Sequence, residues 1–455
     1  MTDVILVRGA WVLTQGPAAE LRDAAVAIEG PAILAVDSFS VLRERYPLAE
    51  VIGDGTGVVT PGFVNAHTHL SEALATGIGS ELRLAEWGEQ IVGPLGAVLT
   101  EQHAHEGTRL RAIELLLSGV TTVNDMFVHY NPDSFASLGV VTGLRSAGLR
   151  GVVSFGAEDV GDPSWGSVQR MLDEHEALAA TVGAGAGNLV SFRYGIGTML
   201  GQTDALLEAG IAHARLRGWA VHTHLHETRE ELAASVERWG VRPIAHAERL
   251  GLFELDVLAG HAVWVDDAET ELLAARGVAV AHNPIANMIL GSGVAPVARL
   301  RAAGIAVGIG TDGAASNDSQ NMLEAIKFAA LLQKVHHLDP AVIDARTVLQ
   351  MATIDGARAL GLDADIGSLE PGKRAGVVLF QDAVEVSVLH DPAGQLVYGG
   401  SPRAVADVVV DGRRVVRDHR CVTVDEAAQT ALARPLVAEI ARAAGFVASG
   451  VSRAR

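Results

Sequence analysis

The sequence predicts an α/β protein: a (β/α)8 TIM barrel with a small β-sandwich domain formed from both termini. Three observations predict it. Between about residues 60 and 361, short apolar runs alternate eight times with Ala/Leu/Glu/Arg-rich helical stretches, a pattern that suits a barrel better than an open doubly wound sheet. On either side of that span the chain reads as short strands separated by turn residues. Several apolar runs also end in histidine, asparagine or aspartate, and barrels carry their chemistry at the C-terminal ends of strands.

In chain order, 4–9, 24–29 and 32–36 read as strands, with Gly30-Pro31 as a turn between the last two. The eight alternating runs are 62–66, 120–124, 151–155, 191–195, 219–222, 257–260, 278–281 and 305–310. Helical patterns at 104–117, 167–180, 203–217 and 268–276 lie between them. Strands return at 376–380, 406–410 and 414–416, with Asp411-Gly412 as a hairpin signal. A last helix covers 425–446, and Pro435 is expected to break it. The domain reading is 1–59 and 366–424 for the two parts of the sandwich, 60–365 for the barrel, and 425–455 for a C-terminal helix and tail.

Composition limits the function. The 455 residues are 49% hydrophobic and 20% charged, enough apolar material for a large core and too much for wholesale disorder. A net charge of −19 argues against nucleic acid or an anionic membrane as partner. No run of ~18 apolar residues spans a bilayer. Cys421 is the single cysteine, which excludes an intrachain disulfide and a cysteine-based zinc cluster. Met1-Thr2-Asp3 leads straight into a strand pattern with no signal peptide, so a cytoplasmic location is expected. Self-association into a homo-oligomer is expected as well.

The run ends supply a metal-type constellation. His67 and His69 stand two apart at the end of the first strand, where i and i+2 share a face. The fifth run leads into His222-Thr223-His224-Leu225-His226-Glu227, the sixth into His261, and the eighth into Asp312. One H-x-H is weak evidence alone, but four ligand-capable strand ends in one barrel are not. Imidazole and carboxylate donors without thiolate fit a catalytic zinc, with iron or manganese as alternatives.

These motifs resemble the amidohydrolase superfamily, in its mononuclear aminohydrolase branch of guanine, cytosine and adenosylhomocysteine deaminases and s-triazine hydrolases. The resemblance runs over nearly the whole chain. It rests on 61–69 (PGFVNAHTH), His224-Leu225-His226-Glu227, Asn283-Pro284 with Asn287-Met288 and Gly291-Ser292-Gly293, Gly310-Thr311-Asp312-Gly313-Ala314-Ala315-Ser316-Asn317 and 367–373 (GSLEPGK). It implies His67, His69, His224 and Asp312 as ligands of one divalent metal ion, Glu227 as proton shuttle, and His261 beside the water. A cation lowers the pKa of bound water from ~16 toward ~7, so hydroxide can attack a carbon bearing NH2 and ammonia can leave. Asp312 would accept the water's proton and His261 would stabilise charge. The implied function is hydrolytic deamination of an amino-substituted purine, pterin, pyrimidine or s-triazine. Displacement of chloride or alkylamine, or opening of a ring amide, is the alternative. A non-catalytic scaffold would be expected to have lost some of these six residues. A metal-bridging lysine is absent from 191–198, which favours one metal over two.

Among the remaining histidines, His222 reads as buried in its strand and His226 as open to either face. His129 reads as a solvated loop residue. His103, His105, His175, His213, His246, His336, His337, His390 and His419 default to solvated surface. Substrate contacts are expected from Asn124, Glu158, Thr198, Met199 and, less directly, from Trp87 and His282. Trp87 and His282 read first as packing. Glu158 reads equally as a group that meets a heterocyclic N–H edge and as a solvated charge. Asp125, Met126 and Asp159 also lie in position to line the pocket, and Asn317 and Ser319 to brace the last loop. Gly96 stands two residues after Pro94, where methylthioadenosine and adenosylhomocysteine deaminases carry a glutamate for ribose hydroxyls. Gly195-Ile196-Gly197 stands where they have Pro-His-Ala. Both departures predict a pocket smaller or less polar than a nucleoside site.

Overall fold

The computed structural model describes residues 4–18, 20–161, 163–185 and 189–446; the expected tail at 447–455 lies outside them. The chain ends meet in a mixed nine-stranded sheet. Its order is Arg420–Cys421, Arg413–Arg417, Val405–Val410, Gly376–Phe380, Val58–Pro61, Ile5–Leu13, Glu20–Glu29 and Ala32–Ser38, with Glu50–Ile52 also beside Ile5–Leu13. Val58–Pro61 pairs antiparallel with Gly376–Phe380, so segments from both ends share one set of hydrogen bonds. Alternation along these strands sends Val7, Val26 and Ile28 to one apolar cluster and Leu6, Ala25 and Ala27 to another. Asp411 and Gly412 take φ of 50° and 76° in the tight turn between Val405–Val410 and Arg413–Arg417, as a two-residue type I′ turn requires.

The central span forms two parallel sheets. Phe63–Thr68, Val120–Phe127, Arg150–Phe155 and Val190–Phe192 make one; Tyr194–Thr198, Val221–Leu225, Val257–His261, Ala279–His282 and Val307–Ile309 make the other. The fourth predicted run is therefore split at Arg193, whose buried guanidinium reaches the Val221 carbonyl and Asp256. Main-chain bonds cross between the sheets on both sides. Arg193 N meets Val153 O at 3.0 Å and Asp312 N meets His67 O at 3.0 Å. Val152, Leu258, Ala279 and Ala281 pack in an interior cluster, while their strand neighbours Val153, Ala259 and Val280 belong to the larger core that includes the helices. Among the described residues no helix is long and apolar enough to cross a membrane.

Three expectations need correction. The fifth strand runs Val221–Leu225 rather than 219–222, so His224 lies inside it and not beyond its end. The helix Glu426–Ala443 continues through Pro435. Proline removes one backbone donor, but the helix gains packing through Ala433, Leu436 and Ile440, and Gln429 accepts from Arg109 and donates to Glu106. Tertiary contact outweighs the local penalty. Several histidines expected in solvent are buried. His129 pairs with Glu174 at 3.2 Å, His103 packs under Glu439, and His175 donates from Nε2 to the Gly195 carbonyl at 3.1 Å. Helical sequence context does not reveal which face a neighbouring helix covers.

Burial pushes His175 from 6.5 down to about 3. The unfolded chain takes up a proton below about pH 6.5 while the folded one does not, so stability falls on acidification from 6.5 toward 3. His175→Gln is expected to flatten that slope by up to ~1.4 kcal/mol per pH unit. Denaturant midpoints measured from pH 7 to 4 check it; an unchanged slope would refute the buried, neutral assignment.

Candidate active site

The C-terminal ends of the parallel strands converge on a buried cluster of imidazoles around one carboxylate. His67 Nε2 and His69 Nε2 each lie 3.3 Å from Asp312 Oδ1. His69 Nε2 lies 3.1 Å from His224 Nε2. The ligand atoms of His67, His69 and His224 all fall within 4.8 Å of one another, as do those of His67, His261 and Asp312. His67 Nε2 is buried without a hydrogen-bond partner, which is what a nitrogen meant for a cation looks like.

The far side of each ring explains its aim. His69 Nδ1 donates to the Met126 carbonyl at 2.7 Å and His224 Nδ1 to the Gly197 carbonyl at 2.6 Å. A carbonyl can only accept, so each Nδ1 carries hydrogen and each Nε2 keeps its lone pair. His67 Nδ1 instead meets His222 Nε2 at 2.8 Å. In the tautomer that frees His67 Nε2, His67 donates to His222, and His222 Nδ1 donates to Ser154 Oγ at 3.3 Å. Burial holds His67 below its ordinary range and His69 at about 4, so the rings are neutral donors near pH 7. Burial would raise Asp312, yet the contact with His67 and the neighbouring His261 and His69 keep it well below the usual carboxylate range.

Glu227 and His261 flank this cluster. His261 Nε2 lies 3.5 Å from Glu227 Oε2 and 3.7 Å from Asp312 Oδ2, while its Nδ1 donates to Asn287 Oδ1 at 2.8 Å. Burial alone would lower His261, but the two carboxylates raise it overall. Burial raises Glu227, partly offset by His261; Ser292 Oγ donates to Glu227 Oε1 at 2.9 Å. His226, His261 and Asp312 take φ of 56°, 70° and 65°. Non-glycine residues in the left-handed region are uncommon, and here they mark three strand exits beside the cluster.

The comparisons with known proteins fit this geometry. The model of the amidohydrolase family matches residues 58–415. The chain belongs to the amidohydrolase family. A 5-methylthioadenosine/S-adenosylhomocysteine deaminase of Desulforudis audaxviator is 39% identical over 93% of this chain and 95% of that protein. A 5'-deoxyadenosine deaminase of Methanosarcina mazei is 34% identical over 94% and 95%. Among solved structures, an adenosine deaminase from Xanthomonas campestris with bound zinc superposes with a TM-score of 0.89 at 32% identity, covering 97% of this chain and 99% of that one. A zinc complex of an atrazine chlorohydrolase from Arthrobacter aurescens TC1 gives 0.86 at 28%, covering 95% and 100%.

Of the other residues read from the amidohydrolase sequence, Trp87 and Met199 are buried in the large core. His282 follows Val280 on the strand face turned away from the interior cluster, and neither ring nitrogen has a partner. Asn124 Nδ2 bonds the Ala66 carbonyl and touches His222, so it braces the histidines instead of facing a substrate. Thr198 donates to Glu158, which is half-buried. His226 turns away toward Glu269 and the Ile244 amide.

Sequence reasoning missed the carboxylates that hold the loops. Glu72 Oε2 accepts from the Ala315 and Ser316 amides, just beyond Asp312; burial, then Asp312, push its pKa to about 8. Glu231 accepts from the His226 and Glu227 amides at 3.1 and 2.7 Å, with burial taking it to about 7. Asp125, read as pocket lining, accepts from the Leu70 amide at 2.7 Å. His222 was expected only as a buried strand residue. Replacing it tests its support of His67. His222→Phe is expected to weaken metal binding ~10–100-fold with the fold retained. Competition against a chromophoric chelator would measure this, and unchanged affinity would remove His222 from the site's support.

Proposed function

We propose that this amidohydrolase is a metal-dependent hydrolytic deaminase of an amino-substituted nitrogen heterocycle, with adenosine-type purine nucleosides the first class to test. The observation that carries it is the position of Glu227, beside His261 and Asp312 at the edge of a three-histidine cluster. The names of the relatives, deaminases of adenosine derivatives, support the same chemistry. We take His67, His69, His224 and Asp312 as the ligands of one ion per chain, zinc first, on a closed eight-stranded barrel beside a sandwich-type terminal domain. The same reading makes the protein a cytoplasmic self-associating enzyme with neither nucleic acid nor membrane as partner, in keeping with its charge of −19.

A divalent cation there would supply Lewis acidity, lowering the pKa of water toward neutrality. The chain's own groups do the proton work. Asp312 takes a proton from the attacking water, whose oxygen bonds to the amino-bearing carbon. Glu227, whose pKa burial raises, gives a proton to a ring nitrogen. It then receives the Asp312 proton and passes it to the amine; as the C–N bond breaks and ammonia leaves, the adduct's hydroxyl proton passes by way of Asp312 to Glu227, which leaves a carbonyl product and restores both acids. His261 holds positive charge against the oxygen that becomes negative in the tetrahedral state. Asn287 fixes its ring for that role.

The test is ammonia release by zinc-loaded protein from adenosine, 5'-deoxyadenosine, methylthioadenosine, aminopyrimidines, pterins and aminotriazines. Glu227→Gln is expected to lose ~10²–10⁴ in kcat while keeping its metal; Asp312→Ala should lose both. Silence across the panel with metal bound would sink the deaminase reading, and near-normal turnover by Glu227→Gln would sink the proton path.

A further inference from the structure

We propose that Glu158 is the substrate-anchoring carboxylate of this site, accepting hydrogen bonds from donor groups on the part of the substrate remote from the leaving amine. The proposal rests on the deaminase reading above and extends it to specificity.

Position comes first. Along Arg150–Phe155, Val152 packs in the interior cluster and Ser154 Oγ reaches His222, while Val153 and Phe155 face the outer core. The chain continues through a parallel bridge between Ala157 and Ile196. Just after it, the Glu158 side chain lies against Gly197, whose carbonyl accepts from the candidate ligand His224.

The surroundings are built to seat a carboxylate. A Cβ on Gly197 would lie 2.6 Å from Glu158 Cγ, and one on Gly201 would lie 2.4 Å from its Cδ and Oε1. Only glycine leaves room at either place. Tyr130 Oη donates to Oε2 and Thr198 Oγ1 to Oε1, both at 2.9 Å. Tyr130 needs a third glycine: a Cβ on Gly96 would lie 2.5 Å from its ring. Gly197 also accepts from His224 Nδ1 through its carbonyl. One residue therefore supports a candidate metal ligand and seats the carboxylate.

The compensation is incomplete. The Thr198 and Tyr130 hydroxyls and the Thr198 backbone N–H serve this carboxylate, whose roughly four lone-pair sites leave capacity for a further donor. Burial raises its pKa, these three donors lower it, and neighbouring Asp159 raises it again. Asp159 is itself occupied by the Thr203 amide and hydroxyl. A partly buried carboxylate served only by neutral donors gains from a further donor brought by a ligand. Two parts of a heterocyclic substrate provide that chemistry: the hydroxyls of a ribosyl group, or a ring N–H of a bare base.

The decisive experiment measures binding with chemistry arrested. In zinc-loaded Glu227→Gln protein, calorimetry would compare adenosine with 2',3'-dideoxyadenosine, and adenine with 9-methyladenine, before and after adding Glu158→Gln. The expected result is a ~10–100-fold weakening confined to the donor-bearing member of one pair. Loss with adenosine names the ribosyl hydroxyls, and loss with adenine names the ring N–H. Tyr130→Phe keeps the carboxylate and should give a smaller loss with the same selectivity. Equal weakening of all four compounds would make Glu158 a clamp between loops and overturn the proposal, as would no Glu158-dependent difference in either pair, failure of all four to bind included. Ammonia release by the wild-type protein is read separately. Donor-selective binding without release would leave Glu158 standing and remove the deaminase reading.

Discussion

The interaction on which the site depends is the burial of Asp312 among imidazoles. A carboxylate withdrawn from water needs compensation close at hand, and His67, His69 and His261 supply it within 3.7 Å. The His67 and His69 rings are themselves buried, which favours their neutral forms and leaves His69 at about 4, whereas the carboxylates raise His261. Neutral rings compensate an anion only weakly, so the cluster has strong affinity for positive charge at its centre. Glu227, Glu72 and Asp125 add three more buried carboxyls nearby and Glu231 a partly buried one, each with its pKa raised by desolvation. A donor set with this balance fits a divalent cation.

Placing those groups is a problem of loop geometry. Strands end, the chain turns, and the residue at the turn must point inward. Carboxylates solve it three times by one device. Asp125 holds the Leu70 amide next to His69, Glu231 holds the amides of His226 and Glu227, and Glu72 holds those of Ala315 and Ser316 after Asp312. Each clamp joins the loop of a site residue to a side chain from the same or another strand end. Positive φ at His226 and Asp312 is maintained next to two of these clamps, where surrounding structure can support a disfavoured backbone. Rigid placement of this kind is what acid–base and metal chemistry require.

How much of this was legible follows from the range of each interaction. His67, His69, His224, His261 and Asp312 stood out because each combines a chemically distinctive side chain with the end of an apolar run. The structure brings all five together. The clamps were not legible: Glu72 and Ala315 are 243 residues apart, and nothing local distinguishes Glu72 from a solvated helix acid. His129 and His175 failed for the same reason, since their burial depends on which elements pack above them. Pro435 carried a correct local rule that tertiary packing overrode. The fifth strand's frame slipped by two residues at its start because Trp219 and Ala220 are as apolar as the strand itself.

The retained acid also bears on the leaving group. Chloride departs as a stable anion and needs no proton, whereas an amine leaves a heterocycle readily only after protonation. Glu227 is buried, raised in pKa and hydrogen-bonded through one oxygen to Ser292, with the other toward His261. Such a group is costly to bury, and a chloride-displacing site would gain less from it. Glu231 accepts from the amides of His226 and Glu227 at 3.1 and 2.7 Å and so fixes the backbone that carries this acid. A buried acid held in place in this way suits a reaction whose departing atom is nitrogen. That physical argument favours ammonia over halide within a fold whose solved members include both a deaminase and a chlorohydrolase.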